Sequence, residues 1–311
     1  MKPAVASSLS ILIYHRVLAR PDPLFPGEVD ARRFAQHLRL LKRFYTVLPL
    51  SHAVQGLQDG SLPPRAACIS FDDGYADNAQ LALPLLQQYG LHATFFIASD
   101  YLDGGQMWND RLIDCVRQAS GDAIDLRRLN PELNLDLGRL PIASLAQRRA
   151  AIGKLLSQLK YLPFGQRQHL ADAIARLIPV RPDHSALMLS TAQLRQLQHA
   201  GMAIGAHTAR HPILANLSDD AAAQEIVQGR SALEQLLQAP VDLFAYPNGK
   251  FGQDYGARDA ALVRTLGFKA ALATDPGAAR PGDDPYRLPR FTPWRPGAPG
   301  FLWQLWQNRR R

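Results

Sequence analysis

The sequence predicts an α/β protein built on a parallel sheet, and two observations carry that expectation. Short apolar runs alternate with amphipathic stretches at helical spacing over the first hundred residues and again beyond Ser190. Polar residues gather where the predicted strands stop: His15, Asp72 with Asp73, His207 with His211, and Asn248. In a parallel α/β barrel that is the face on which active sites are built, so the same pattern predicts an enzyme.

The elements follow in order. Leu9–Tyr14 reads as a buried strand that stops at His15-Arg16-Val17, and Pro21 to Gly27 as a loop. Asp30 is an N-cap for a helix carrying Phe34, Leu38 and Leu41. Tyr45–Leu48 is a short strand, Ser51–Leu57 a helix, and Ala66–Phe71 a strand ending at Asp72-Asp73-Gly74. A helix from about Asp77 to Tyr89 closes on Gly90, and Ala93–Ile97 is another buried strand. This alternation calls for right-handed crossovers between parallel strands.

From about Asp100 to Ser185 the rhythm breaks. Leu112–Ala119 and Leu145–Ile178 read as helical, with loop pieces at Asn130–Pro141 and Leu162–Phe164 and no strand run. This stretch is expected to be a helical insertion in a single domain. Beyond Ser190 a helix through Leu194 and Leu197 ends at Gly201, and Met202–Ala206 is a strand ending at His207. A helix capped by Ser218, a strand Leu243–Tyr246 ending at Pro247-Asn248-Gly249, and a helix to about Leu266 come next. A strand Lys269–Leu272 and an extended piece Tyr286–Phe291 precede a basic, aromatic tail over residues 296–311.

Composition narrows the class. Hydrophobic residues make up 47% and charged residues 20%, which excludes a disordered chain. Lys plus Arg is 35 against 27 for Asp plus Glu, a net charge of +8. That balance suits an anionic partner, but the arginines are scattered and no nucleic-acid-binding motif is present, so no nucleic-acid partner is expected. Cys68 and Cys115 have no CxxC spacing, which argues against cysteine zinc sites and disulfide scaffolds. No apolar stretch reaches the ~18 residues of a membrane span. The first residues show no secretory pattern, so a cytoplasmic location is expected.

His207 and His211 stand four apart beyond a strand, where a tight turn brings both rings to one side. Two neutral imidazoles and a carboxylate are a common ligand set for a catalytic divalent metal. On spacing alone, a hydrogen-bonded loop pair stays open. Asp72 and Asp73 are adjacent carboxylates that repel each other unless a cation sits beside them. One can bind metal while the other acts as a base, and Gly74 allows the sharp turn; a plain Asp-Gly turn is the alternative.

Together these residues resemble the polysaccharide deacetylases, or NodB-like carbohydrate esterases. Ile69-Ser70-Phe71-Asp72-Asp73-Gly74-Tyr75 matches the family's first motif and His207-Thr208-Ala209-Arg210-His211-Pro212 its second. Phe244-Ala245-Tyr246-Pro247-Asn248-Gly249 is a variant of its third, and Ala93–Ile97 sits where such proteins carry a strand. The resemblance spans roughly residues 9–100 and 186–295. It implies a distorted (β/α)7 barrel with Asp73, His207 and His211 as metal ligands and Asp72 as the general base for a metal-bound water. The tetrahedral oxyanion would lean on the metal and on a backbone N–H near Asn248. Zinc leads as the metal on availability, with Co²⁺, Ni²⁺ and Fe²⁺ accepted by the same ligands.

Two departures from the commoner pattern stand out. Ala245 occupies the place of the Arg that orients the base, and Arg290 is the candidate replacement. No His follows His211 to serve as the general acid; His15 is the candidate, as in deacetylases of the biofilm N-acetylglucosamine type. A barrel closes its first and last strands side by side, and an imidazole can hand a proton to a leaving amine near neutral pH. Tyr75, Asn248, Trp108 and Asn109 are candidates for lining a sugar site, with core packing as the alternative for Trp108. His37, His52, His92, His169, His184 and His199 read as surface or core fillers.

The expected function is thus a metal-dependent deacetylase acting on N-acetylated amino sugars of a bacterial surface polysaccharide or its lipid-linked precursor. A related hydrolase of non-sugar amides and a silent carbohydrate-binding protein are the competing readings; the intact Asp72 speaks against silence. The tail from Phe301 to Arg311 is a candidate for peripheral contact with the inner face of a membrane, with packing back onto the barrel as the alternative.

Overall fold

The computed structural model describes residues 8–127, 129, 137–178 and 187–310. The chain divides into two compact units: Met1–Arg20, Gly27–Gly104 and Leu187–Arg311 form the first, Pro21–Pro26 and Gly105–Ala186 the second. The elements in chain order are β1 (Leu9–Tyr14), α1 (Ala31–Phe44), β2 (Thr46–Val47), α2 (Leu50–Asp59), β3 (Ala66–Phe71), α3 (Leu83–Tyr89) and β4 (Thr94–Ile97). The second unit contributes α4 (Trp108–Gln118), β5 (Ala123–Asp125), β6 (Arg139–Pro141), α5 (Leu145–Leu159) and α6 (Phe164–Leu177). The first unit resumes with α7 (Thr191–His199), β7 (Ala203–Ala206), α8 (Asp219–Leu237), β8 (Leu243–Ala245), α9 (Ala257–Thr265), β9 (Ala270–Leu272) and α10 (Gly297–Asn308).

In the first unit the strands pair in the order β1-β3-β4-β7-β8-β9, all parallel, with β2 beside the start of β3. The extended segment 288–291 closes the sheet on itself. Leu288 bridges Leu272 of β9 and Phe291 bridges Leu12 of β1. The Phe291 N–H donates to Ile11 O (3.0 Å), and the Ile13 N–H donates to Phe291 O (3.1 Å). The result is the distorted α/β barrel that the resemblance implies.

Alternate strand residues serve two cores. Ile11, Cys68, Phe96, Leu243, Ala245 and Leu272 cluster with Leu50, Val54 and Leu57 of α2. Leu12, Tyr14, Ile69, Phe71, Phe95 and Ile97 pack with residues of the other helices. Burial on both faces is why β1 and β3 read as unbroken apolar runs. The strand ends lie where the sequence predicts them: β1 runs into His15, β3 into Asp72 and β7 into His207.

Three expectations are corrected. The helix expected from Asp77 opens instead with a π-turn over Asn78–Ala82. Pro84 has no N–H to return to the preceding turn, so that turn widens. The insertion is not strand-free: Ile124 and Leu140 pair in an antiparallel hairpin of three-residue strands, too short to show an alternating pattern. That hairpin and α4, α5 and α6 enclose a separate core of Leu112, Cys115, Ile152, Leu155, Leu170 and Ile174. The piece expected to be extended from Tyr286 starts as a 3-10 turn over Pro285–Arg287 and is extended only from Leu288. Residues 130–136 of the expected Asn130–Pro141 loop, His184, the N-terminal seven residues and Arg311 lie outside the described residues. Among the described residues no helix is long and apolar enough to cross a membrane.

The tail is a helix, α10, whose Phe301 and Leu305 are fully buried. Phe301 stacks on His37 of α1 (centroids 4.0 Å, 6° between planes), and Tyr14 Oη lies 3.1 Å from His37 Nδ1. Burial, with a smaller push from the Arg33 charge, drives the His37 pKa from 6.5 down to about 3. The unfolded chain therefore binds the His37 proton more tightly than the native state does. Stability from this site is complete above about pH 6.5 and is lost as the pH falls toward 3. We expect His37→Phe to lose less thermal stability than the wild type between pH 7 and 5, measured as the shift in Tm; equal shifts would refute this.

Candidate active site and metal centre

Asp73, His207 and His211 come together from two strand ends, their ligand atoms all within 4.8 Å of one another. Asp73 Oδ1 lies 3.5 Å from His207 Nε2 and 3.4 Å from His211 Nε2. His207 Nδ1 lies 2.7 Å from Ala245 O. A carbonyl only accepts, so Nδ1 carries the proton and Nε2 presents a bare lone pair. That lone pair faces a buried carboxylate oxygen that has no hydrogen-bond partner. Acceptors pointed at one another need a cation between them, and three such atoms, two imidazole and one carboxylate, are a donor set suited to a divalent transition metal. The residues present fit a metal.

The electrostatics agree. Burial opposes ionisation of Asp73, but His207 and His211 overcome it and hold its carboxyl below the usual range. Burial likewise works against charge on His207, while Asp72 and Asp73 raise its affinity for a proton above the ordinary imidazole value. Without metal, the site draws in a proton instead. Acid therefore competes with metal, and uptake falls as the pH drops through the raised His207 range.

Asp72 points to a different partner. Its two oxygens each accept from Arg290, Nη1 and Nη2, at 2.7 Å. Arg290 is fully buried; its Nε donates to Ala273 O (2.8 Å), its Nη1 to Ser70 Oγ (3.2 Å), and its guanidinium lies over the Phe96 ring (5.7 Å). Burial raises the Asp72 pKa, yet Arg290, followed by His207, brings it below the usual value. The repulsion expected between adjacent carboxylates is thus relieved in two ways. Arg290 neutralises Asp72, and only Asp73 faces the imidazoles. Asp72 Oδ2 stays 3.9 Å from His207 Nε2, beside the metal centre without joining it.

The backbone here is strained. Asp73, Thr208, His211 and Asn248 have positive φ (76°, 63°, 55° and 61°), each costing on the order of 1 kcal/mol or more for a residue with a Cβ. Packing holds them there. The His211 N–H donates to Thr208 Oγ1 (3.0 Å). Buried Glu225 of α8 accepts from the Arg210 N–H (3.0 Å) and Arg210 Nε (2.6 Å), and its own carbonyl accepts from the Ala209 N–H (3.1 Å). Gly229, one turn on, lets the helix touch that loop; a Cβ there would sit 2.4 Å from Thr208 C. The sequence reading missed Glu225 and Gly229. Their only signal is a Glu and a Gly four apart on one helix face.

His15 is exposed, the first residue beyond β1, and its charge acts on both Asp72 and Asp73. Its turn is pinned by two residues the sequence reading passed over. Asn78 Nδ2 donates to His15 O (2.9 Å), while buried Asp77 accepts from the Val17 N–H (3.1 Å) and Arg16 Nε (2.8 Å). Tyr75 is buried under the Arg16 guanidinium (4.9 Å) and bridges Met188. Asn248 is half-buried in the turn after β8, its carbonyl accepting from Thr274 Oγ1 (2.7 Å). Trp108 lies in the core of the second unit, beneath the Arg167 guanidinium (5.0 Å).

Three variants test this construction. Arg290→Lys keeps a charge beside Asp72 but loses the planar two-point grip; turnover should fall about 10- to 100-fold with metal content unchanged. Arg290→Ala leaves Asp72 buried and unpaired, at a cost of about 3–5 kcal/mol, so its melting point is measured alongside. Gly229→Ala should displace the 208–211 turn and lower both metal uptake and activity, the latter by about 100-fold. Full metal content in that variant would contradict the backing role of α8.

Comparison with known proteins identifies the family. The sequence profile of the polysaccharide deacetylase family matches residues 59–121 and 164–271. The chain is 21% identical over 291 residues to the polysaccharide deacetylase homologue YxkH of Bacillus subtilis (strain 168), covering 93% of this chain and 71% of that protein. Its fold is similar to that of the Streptococcus pyogenes deacetylase PplD, solved in complex with acetate (TM-score 0.65, 19% identity, 96% of this chain and 98% of that one). It is similar as well to IcaB from Ammonifex degensii (TM-score 0.61, 17% identity, 96% of each chain). With a profile match over more than half its length, taking in the turns at Asp72–Asp73 and His207–His211, the chain belongs to the polysaccharide deacetylases, hydrolases that act on carbon–nitrogen bonds.

Proposed function

We propose that the chain removes N-acetyl groups from amino sugars of a bacterial surface polysaccharide or its lipid-linked precursor, and that it needs a divalent metal, zinc first, to do so. The observation that carries the proposal is the orphaned Asp73 oxygen facing two imidazole nitrogens, with a second carboxylate 3.9 Å from one of them. Asp73, His207 and His211 would hold the metal, which when bound polarises an acyl carbonyl and acidifies water.

The chain's own residues supply the rest. Asp72 stays ionised because Arg290 is paired with it, so it can accept a proton from the attacking water. The pair also fixes which way that carboxylate faces. We assign the developing oxyanion to a backbone N–H of the turn at Asn248, a residue held at positive φ just beyond β8. His15, exposed on a turn clamped by Asp77 and Asn78, gives a proton to the departing amine. We assign substrate contact to the Asn248 turn and a backing role to Tyr75, whose ring supports Arg16. The core position of Trp108 favours packing over sugar contact.

Acetate release from N-acetylglucosamine oligomers should be lost on chelation and restored by Zn²⁺. His15→Ala should lower it by about 100- to 10,000-fold with metal retained. Acetate release that survives chelation, or metal binding with no turnover on any acetylated sugar, would overturn the proposal.

A further inference from the structure

Helix α10 has a mixed inward face and an aromatic outward one. It buries Gln304 and Asn308 along with Phe301 and Leu305, and it turns Trp303 (41% exposed) and Trp306 (48%) outward. Trp294, just before it, is 59% exposed, while the chain's other tryptophan, Trp108, is buried. The inward amides are used within the fold. Gln304 Nε2 donates to Thr292 O (2.6 Å), and Asn308 Nδ2 lies 3.4 Å from Ser10 Oγ. A helix held only by packing would place its tryptophans inside and its amides outside.

The outward rings carry cations. Arg295 lies over Trp303 (3.9 Å) and Trp294 (4.9 Å), and Arg310 over Trp306 (3.8 Å). From Thr292 to the last residue the sequence has no Asp or Glu. Beside the start of α10 an open cleft of about 530 Å³ is lined by Asp30, Arg32, Arg33, Arg39, Tyr89 and Pro296. Arg33 Nη2 donates to Trp294 O (2.6 Å), joining the two parts of this face.

We infer that this face docks on an anionic bilayer surface. Tryptophan is at home where headgroups meet acyl chains, and guanidinium groups pair with lipid phosphates. The charge is complementary: one acidic group, Asp30, stands among the arginines of the cleft. A glycan fits less well, because a pyranose stacks on an open ring face and these rings have guanidinium groups over them. This inference stands on α10 and is independent of the catalytic proposal.

The test is sedimentation of the full chain with vesicles of phosphatidylcholine alone or of equal parts phosphatidylcholine and phosphatidylglycerol. Wild type should pellet with the mixed vesicles at low salt, with tryptophan emission shifted to the blue, and should be released as salt rises. Trp303→Ala and Trp306→Ala should each weaken partitioning about tenfold, and Arg310→Glu by about fivefold or more. Metal content and circular dichroism should be unchanged in all three, which separates lost docking from misfolding. The inference is overturned if wild type stays in the supernatant, or if the variants pellet as well as wild type does. It is overturned equally if an N-acetylglucosamine polymer, and not the vesicles, retains the protein through these tryptophans.

Discussion

The buried pair between Asp72 and Arg290 is the constraint on which the site depends. A carboxylate with almost no solvent contact at the end of β3 would be costly alone, and Arg290 reaches it from the segment that closes the barrel. One contact therefore ties the first motif to the barrel seam, 218 residues away in sequence. It keeps Asp72 ionised and aimed, and it leaves Asp73 free to face the imidazoles. A guanidinium suits the position because its planar fork meets both carboxylate oxygens while its Nε caps the Ala273 carbonyl.

Around that pair the site is held by backing residues. Positive φ at Asp73, Thr208, His211 and Asn248 stores strain that the turns alone would release. Glu225 and Gly229 brace the second motif from α8, and Asp77 with Asn78 braces the turn at His15 from the π-turn behind the first motif. In both cases a helix next to a motif, rather than the motif itself, sets where the chemistry-bearing side chain lies. The widened turn that Pro84 imposes is part of this arrangement.

α10 shows the same economy at the surface. Its inward face packs on α1 through Phe301 on His37, while its outward face carries aromatic and basic groups. Exposed tryptophans add little to the stability of the fold, and with the cations over them they are the observation from which the bilayer contact is proposed.

The sequence alone determined the α/β class, the ends of β1, β3 and β7, and the residues at those ends, because apolar period and strand-end polarity are local signals. The resemblance to the polysaccharide deacetylases added Arg290 as the candidate for the arginine that the third motif lacks at Ala245. Only the tertiary structure decided that Arg290 meets Asp72 with two hydrogen bonds, that Asp73 Oδ1 lacks a partner, and that Glu225 and Gly229 support the metal turn. It also decided that residues 105–186 build a separate core and that α10 turns its tryptophans outward. The physical reason is distance along the chain. Hydrogen-bond geometry, close backbone approach and the solvent side of a helix depend on what packs against it, and no window of neighbouring residues holds that information.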